Sequence, residues 1–336
     1  MSNRSEANYV EMKISQSALF GKILDFASRI LTDHVNVYFS QSGFFLSSMD
    51  AAHVVMLYFE VPKASCLEYK LVGTNIRLGW NLKSTSKLIS HWGNGTWLKI
   101  GWCNTKPDDC TIQFGDEVDP EKTDGEFDIR LMTIEDDLYQ IPEYEYVQQI
   151  VMPSSTFAKI MRSFVNFCEV CLIHGYPDTS GNKNGGTIAF EILSTSSDEL
   201  RKARVEYKNG QQVIVKKESS ENKKIRTKRK RNASEIDDDT SEQPATNAKE
   251  VSIPTIKAKE HDQTTCVSVD VKADKEIIEQ LDMKRLAAIA DARVGSDMVM
   301  VATHTSGPSR FFFPLKENLG SLTIFVAPKL PIDEDV

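Results

Sequence analysis

The sequence has no long apolar run, and this absence argues against a membrane-spanning helix. Its longest mainly apolar stretch, residues 44–61, is interrupted by Asp50, His53 and Glu60, whereas a bilayer span needs roughly 20 apolar residues in succession. Residues 1–11 contain no apolar segment of the kind that secretory signals require. We therefore expect an intracellular protein with no membrane partner.

Cysteine is scarce, and the chain as a whole has no excess of positive charge. The six cysteines lie far apart in 336 residues, which indicates reduced thiols rather than a disulfide framework. The formal net charge of -8 argues against a generally basic surface that coats nucleic acid. Any contact with DNA must then come from local basic patches.

The sequence also lacks a recognisable set of catalytic or metal-binding residues. Cys168 and Cys171 have C-x-x-C spacing, but no second Cys or His pair follows at zinc spacing, and we interpret both as buried structural thiols. No nucleophile, base and stabiliser occur in a familiar arrangement. We expect a protein that is not an enzyme and uses no metal or cofactor.

One stretch of the chain differs sharply in composition from the rest. Residues 216–231 contain nine Lys or Arg against two acids, and residues 234–242 contain five acids. Such a composition does not bury enough apolar surface to offset the entropy of ordering, so we interpret residues 208–260 as a flexible insertion within a second domain. Within it, four basic residues are typical of a nuclear-import signal, the alternative being a solvated basic patch or a secondary DNA contact: Lys228, Arg229, Lys230 and Arg231.

The remainder alternates between strand-like and helix-like segments, and the pattern repeats. Period-two alternation predicts strands, for example at residues 35–39, 54–59 and 321–326. Apolar stripes at helical spacing follow Phe20 and, 137 residues later, Phe157. A second helix pair is predicted at residues 82–91 and 281–290. The layout indicates an α+β fold of two similar domains with largely antiparallel sheets.

Five segments in the same order and at the same spacing resemble the eukaryotic-type DNA sliding clamp, the proliferating cell nuclear antigen family. Residues 43–54 resemble its first-domain hairpin and residues 75–84 the approach to its second helix. Residues 131–146, with Ile141 and Pro142, resemble its interdomain connecting loop. The remaining two matches are residues 152–160 and the tail 325–330, which is followed by Asp333, Glu334 and Asp335.

The resemblance implies two tandem clamp domains, with outer antiparallel sheets and two inner helices each, that assemble as a homotrimer into a closed ring. It places the first domain at residues 1–132, the connecting loop at 133–146 and the second domain at 147–336. It further implies a nuclear processivity factor that encircles double-stranded DNA without reading its sequence and tethers DNA polymerase, with a clamp loader as a further partner. Pairing between subunits is expected to use residues 111–115 and 203–207.

Basic residues recur on one face of each predicted helix. Lys22 and Arg29 are seven residues apart and share a face opposite the apolar stripe. The same helical spacing groups basic residues on the other helices, and solvated surface charge is the alternative for any one of them. With the family resemblance, all seven are expected to contact DNA phosphates: Lys22, Arg29, Lys83, Lys87, Lys159, Arg162 and Lys284.

The resemblance also implies an apolar pocket that receives short peptides from partner proteins. Its residues come from the first-domain hairpin, the connecting loop and the tail, and Met49 suits adaptable packing against varied partners. The matching positions are Met49, His53, Val54, Ile141, Pro142, Ala327 and Pro328.

Two other functions stay open at this point. A checkpoint-type or monomeric relative would share the fold but assemble differently. A single-stranded-DNA-binding protein could use the four tryptophans at positions 80, 92, 97 and 102 as a stacking platform, although packing in the first domain is the simpler interpretation.

Overall fold

The computed structural model describes residues 8–93, 96–116, 119, 122–135, 139, 141, 144–178, 185–193, 202–215, 263–272, 275–304 and 307–329. The chain divides into two compact units, residues 1–213 with 266–336 and residues 214–265. The predicted import signal, Lys228–Arg231, and the pocket residue Pro142 lie outside the described residues. Strands cover residues 208 and 212–215, so regular structure continues past the predicted start of the insertion.

Four α-helices and twenty strands form the described chain. The helices are α1 (Ser17–Ile30), α2 (Leu82–Trp92), α3 (Ser154–Phe164) and α4 (Met283–Ile289). The strands before the connecting segment are β1 (Tyr9–Ile14), β2 (His34–Ser40), β3 (Gly43–Met49), β4 (Val55–Pro62), β5 (Glu68–Val72), β6 (Ile76–Asn81), β7 (Thr96–Cys103), β8 (Asp109–Asp116) and β9 (Gly125–Arg130). Those after it are β10 (Gln148–Pro153), β11 (Val170–Pro177), β12 (Gly186–Leu193), β13 (Lys202–Lys208), β14 (Gln212–Val215), β15 (Gln263–Cys266), β16 (Ser268–Val271), β17 (Ile277–Asp282), β18 (Met298–Thr303), β19 (Ser309–Pro314) and β20 (Ser321–Val326).

The strands form antiparallel sheets, as the period-two pattern predicts. One sheet has the order β5-β1-β7-β8-β9, another the order β13-β12-β11-β17, and β14 pairs with β15. The largest sheet has nine strands in the order β16-β10-β18-β19-β20-β4-β3-β2-β6. Here β20, near the end of the chain, pairs with β4, with Val326 opposite Val55. This pairing carries the tail to the turn between β3 and β4.

Helices α1 and α3 bury the apolar stripes predicted from sequence. Phe20 of α1 packs against Phe44 and Phe59, with ring centroids 5.4 and 5.5 Å apart. In the second half, Phe157 of α3 packs against Phe190 and Phe311 at 6.1 and 5.8 Å. The two halves therefore use one packing plan, in which an aromatic residue of the first helix fills the centre of the core.

The second helix of each half begins after an equivalent cap. Asn81 accepts a hydrogen bond from the Ser84 amide at 2.9 Å, and Asp282 accepts one from the Arg285 amide at 3.0 Å. Each cap satisfies one of the amides left unpaired at a helix start. The prediction for α4 was wrong at both ends, since residues 281 and 282 belong to β17 and the chain continues from residue 290 as a 3₁₀ turn, Ala290–Val294.

The expected subunit-pairing strands need one correction. Residues 111–115 lie in β8, which pairs with β7 on one side and β9 on the other, so they are inside the sheet. The outer strand there is β9, which the sequence analysis missed because it alternates charged residues with only two apolar ones. Residues 203–207 lie in β13, which is the outer strand of its sheet as expected.

Candidate functional site

The seven basic residues predicted to contact DNA are all exposed on the helices. Burial of the apolar stripes fixes the rotation of each helix, so the remaining face points to solvent. Five of the seven are lysines, none of which forms an ion pair with another residue in the described ranges. We call these seven residues the helix face: Lys22, Arg29, Lys83, Lys87, Lys159, Arg162 and Lys284.

The two arginines of the helix face differ from the lysines because both bind an acid. The Arg29 guanidinium lies 3.4 Å from Asp291 Oδ2, and that of Arg162 lies 2.6 Å from Asp291 Oδ1. Arg29 also lies 3.6 Å from Asp25, one turn earlier in α1. Sequence spacing did not reveal this network, because Asp291 is 262 residues from Arg29 and 129 from Arg162.

A second feature is a surface cavity of about 350 Å³ with mainly apolar walls. This volume is within the range of small-ligand and peptide-side-chain sites, roughly 300–1,000 Å³. Five of the predicted pocket residues line it, and the structure adds six that the prediction missed. The lining residues are Met49, His53, Val54, Met56, Tyr139, Tyr144, Gly307, Pro308, Phe325, Ala327 and Pro328.

Asp50 fixes the conformation of the turn between β3 and β4 through its side chain. Its Oδ1 accepts hydrogen bonds from the amides of Val54 at 2.7 Å and Val55 at 2.9 Å. Its Oδ2 lies 3.3 Å from the Arg285 guanidinium. His53 adopts φ 55°, in the left-handed region, and thus the turn presents His53 and Val54 to the cavity. These contacts give Asp50 a structural role.

The tail forms another wall of the cavity, next to the β3–β4 turn. The Ala327 amide donates to the Val54 carbonyl at 2.9 Å, and the Lys329 amide donates to the Gln280 carbonyl at 2.8 Å. Pro328 lies between these two anchors. The tail is therefore fixed by a backbone hydrogen bond on each side of Pro328.

Tyrosines of the connecting segment complete the walls. The Tyr139 carbonyl accepts a hydrogen bond from Ser47 Oγ at 3.1 Å, which holds the segment against β3. Tyr144 packs on His304, with ring centroids 5.1 Å apart, and a Cβ at Gly307 would lie 3.0 Å from its ring. Ile141 was expected in the pocket but is 44% exposed and does not line the cavity, because Tyr139 and Tyr144 occupy the wall on this side. The positions of Tyr139 and Tyr144 on either side of Ile141-Pro142 in the sequence could have predicted that these two aromatic residues line the cavity.

The four tryptophans all have partners within the protein. Trp80 and Trp97 are buried in the first half. Trp92 is 38% exposed and packs on Phe114 and Phe127, with centroids 6.3 and 5.2 Å apart. Trp102 is half-buried, and its indole Nε1–H donates a hydrogen bond to the Pro107 carbonyl at 3.2 Å. These contacts favour the packing interpretation over a stacking platform for unpaired bases.

The C-x-x-C pair has no further metal ligands gathered around it in the described residues. Cys171 is fully buried, and burial raises the pKa of its thiol to about 12. Burial also raises the pKa of Cys168. No group of three or more His, Cys, Asp or Glu side chains in this part of the chain is placed to hold a metal ion.

Within the described residues no helix is long and apolar enough to cross a bilayer.

Comparison with known proteins agrees with this arrangement. Residues 9–140 match the family model of the proliferating cell nuclear antigen N-terminal domain, a segment that contains β1–β9, α1 and α2. Over this first part, the chain is similar to proteins of the proliferating cell nuclear antigen family. It is 29% identical over 160 residues to proliferating cell nuclear antigen 2 of Drosophila melanogaster, covering 48% of this chain and 61% of that protein.

Two further relatives carry the same family name. Proliferating cell nuclear antigen of Chaetomium thermophilum is 29% identical over 171 residues, covering 50% of this chain and 63% of the relative. That of Dictyostelium discoideum is 26% identical over 200 residues, covering 58% and 76%. The alignments thus span less than two thirds of the first two relatives. The antiparallel sheets and the paired helices are those expected of this family.

Proposed function

We propose that this chain is a nuclear DNA sliding clamp, a scaffold without catalysis of its own that encircles duplex DNA and tethers DNA polymerase and other replication and repair proteins. The observation that carries the proposal is the helix face, where exposed lysines occur on all four helices while the net charge is -8. A local basic surface on an acidic protein fits contact with phosphates alone, which permits sliding on any sequence. The domain limits 1–132, 133–146 and 147–336 belong to this proposal.

The cavity supports the tethering part of the proposal. It combines the β3–β4 turn, the connecting segment and the tail, which are far apart in sequence. The cavity is mainly apolar, and backbone hydrogen bonds hold the tail that lines it. Such a cavity is a suitable site for a short peptide with aliphatic or aromatic side chains. The clamp loader would be a further partner.

The outer strands support assembly into a homotrimer. The exposed residues of β9 are Glu126, Asp128 and Arg130, and those of β13 are Lys202, Arg204, Glu206 and Lys208. The exposed side of β9 is therefore net negative and that of β13 net positive, so if β9 of one copy pairs with β13 of the next, the two sides attract and both sheet edges are covered. A monomeric relative is the second candidate, and the mass in solution separates the two.

The test is DNA binding by a variant of the helix face. Lys22→Ala, Lys87→Ala and Lys159→Ala together should weaken binding to a short linear duplex, and the slope of log affinity against log salt should decrease by about 2 to 3. The control replaces three exposed lysines outside the four α-helices: Lys63, Lys70 and Lys106. Fluorescence anisotropy at several salt concentrations measures both. Equal affinity and slope for the helix-face variant and the wild type would reject the proposal.

A further inference from the structure

Asp291 is an acid placed between two basic side chains of the helix face. It lies in the 3₁₀ turn after α4, and its side chain is 33% exposed. One carboxylate oxygen contacts Arg29 of α1 and the other contacts Arg162 of α3. With Asp25 beside Arg29, two positive and two negative charges meet at one place, so this part of the helix face is locally neutral.

The chemistry of these contacts is the chemistry of phosphate binding. A guanidinium presents parallel N–H donors that fit a carboxylate and a phosphate in the same way. Asp291 therefore occupies the donors that a DNA phosphate would use. The five lysines of the helix face have no acid bound to them in the described residues.

We propose that Asp291 takes the place of a DNA phosphate at Arg29 and Arg162 and thereby limits how tightly this chain holds duplex DNA. The inference rests on the proposed function, since it requires that the helix face contact DNA. A clamp that slides needs contacts that exchange readily, and an internal competitor lowers the number of counterions released on binding. Asp291 is thus a positioning residue for the two arginines, and the lysines carry the contact with DNA.

The experiment compares Asp291→Asn with the wild-type protein on a short linear duplex over a series of salt concentrations. Asparagine preserves the size of the side chain but removes the negative charge that both arginines share, leaving Arg29 with Asp25 and Arg162 without a bound acid. At about 0.1 M salt, each arginine that then binds a phosphate should tighten binding about tenfold, and the slope of log affinity against log salt should steepen by about 1 to 2.

The matched control is Glu11→Gln. Glu11 is also a carboxylate between two basic side chains, 3.7 Å from Lys70 Nζ and 3.3 Å from Lys99 Nζ, and it is 34% exposed. It lies on β1, away from the helices, so its loss changes the net charge equally without freeing a group of the helix face. Affinity and slope for Asp291→Asn equal to those of Glu11→Gln would overturn the inference. A lower melting temperature with an unchanged slope would show a structural role instead and would overturn it too.

A second comparison remains informative if Asp291→Asn does not fold. Arg29→Gln with Arg162→Gln removes two charges that Asp291 already occupies, whereas Lys22→Ala with Lys159→Ala removes two unoccupied ones. The arginine variant should lose much less affinity than the lysine variant, and equal losses would overturn the inference. If the lysine variant loses DNA binding while Asp291→Asn binds like the wild type, the inference is rejected and the proposed function stands. Wild-type binding by the lysine variant would reject both.

Discussion

Met49 and Tyr144 are the side chains on which peptide binding at the cavity should depend most. Both line it, and neither is needed for the core, since Met49 is half-buried and Tyr144 is 42% exposed. Burying an apolar side chain is worth roughly 1.5–3 kcal/mol, and about 1.4 kcal/mol corresponds to tenfold in affinity. Met49→Ala with Tyr144→Ala should therefore weaken binding of a short peptide with aliphatic and aromatic side chains by about tenfold or more.

Calorimetry with such a peptide measures this effect directly. Leu67→Ala is the control, because Leu67 is 59% exposed and outside the cavity, so it removes apolar surface without altering the walls. Equal affinities for the double variant and the wild type would mean that partners dock elsewhere.

Glu279 is a buried carboxyl group that should make stability depend on pH. It lies in β17 opposite Ile173, is 4% exposed, and its Oε1 has no hydrogen-bond partner among the described residues. Burial raises its pKa from 4.5 to about 7. Between these values the unfolded chain ionises first, so the folded state binds more protons and the free energy of unfolding falls as pH rises. Above about pH 7 this contribution is constant.

Glu279→Gln removes the ionisation and should remove this loss. Relative to wild type, the variant should gain about 3 kcal/mol at pH 8, while the two proteins should differ little near pH 4.5, where Glu279 is neutral in the folded state and only about half ionised in the unfolded one. Urea denaturation at the two pH values gives both differences. A difference that does not change with pH would show that Glu279 is not the titrating group.

At the scale of elements, sequence periodicity predicted the first helix of each half well. Both stripes are set by local spacing, and burial of Phe20 and Phe157 follows from it. Sequence periodicity failed to predict an element correctly where contacts between distant parts of the chain determine its position. Strand β9 was missed because its charged residues face solvent, and α4 was misplaced because residues 281–282 pair with β11 before the helix begins.

The candidate site shows the same division between local and long-range information. The lysines of the helix face are found from spacing alone, because exposure follows from the apolar stripe. The ion pairs of Asp291 join residues more than a hundred positions apart, so the packing of α1, α3 and the 3₁₀ turn after α4 had to be known first. Likewise, the hairpin and the tail predicted five cavity residues, but the wall made by Tyr139 and Tyr144 depends on the path of the connecting segment over β3.

The edge strand β9 should determine association between copies. Asp128→Lys places a positive charge opposite the basic side of β13 and should weaken the proposed trimer about tenfold or more, since like charges directly opposite each other across an interface are destabilising. Glu68→Lys is the matched control, because β5 is the other outer strand of the same sheet and the change in charge is the same. Sedimentation at several concentrations measures both. A trimer equally weakened by both changes, or by neither, would mean that β9 is not the interface.

At the scale of the whole molecule, two surfaces of different chemistry coexist on one continuous framework. The nine-stranded sheet joins strands from before and after the connecting segment, so the two halves share one sheet. Helices α1 and α3 pack on this sheet through Phe20 and Phe157 and expose lysines, while the end of β20 and the turn before β4 contribute to the cavity. Because the helix face and the cavity share no side chain, the proposed function predicts that DNA and a partner peptide are held at the same time without competition.

If the protein forms a closed ring around DNA, its retention should depend on whether the ends of the duplex are open or blocked. Ordinary surface binding would not show this dependence. Assembled protein should thread onto linear duplex with open ends, and bulky groups attached to the ends afterwards should retain it through a wash at high salt, because the ring stays closed even when phosphate contacts are screened. If the ends are blocked before the protein is added, or if the blocked duplex is then cut in the middle, little protein should remain. A pull-down with end-labelled duplex measures the retained fraction in each order of addition. Equal retention in every order would show ordinary surface binding, and the encirclement proposed for this chain would be wrong.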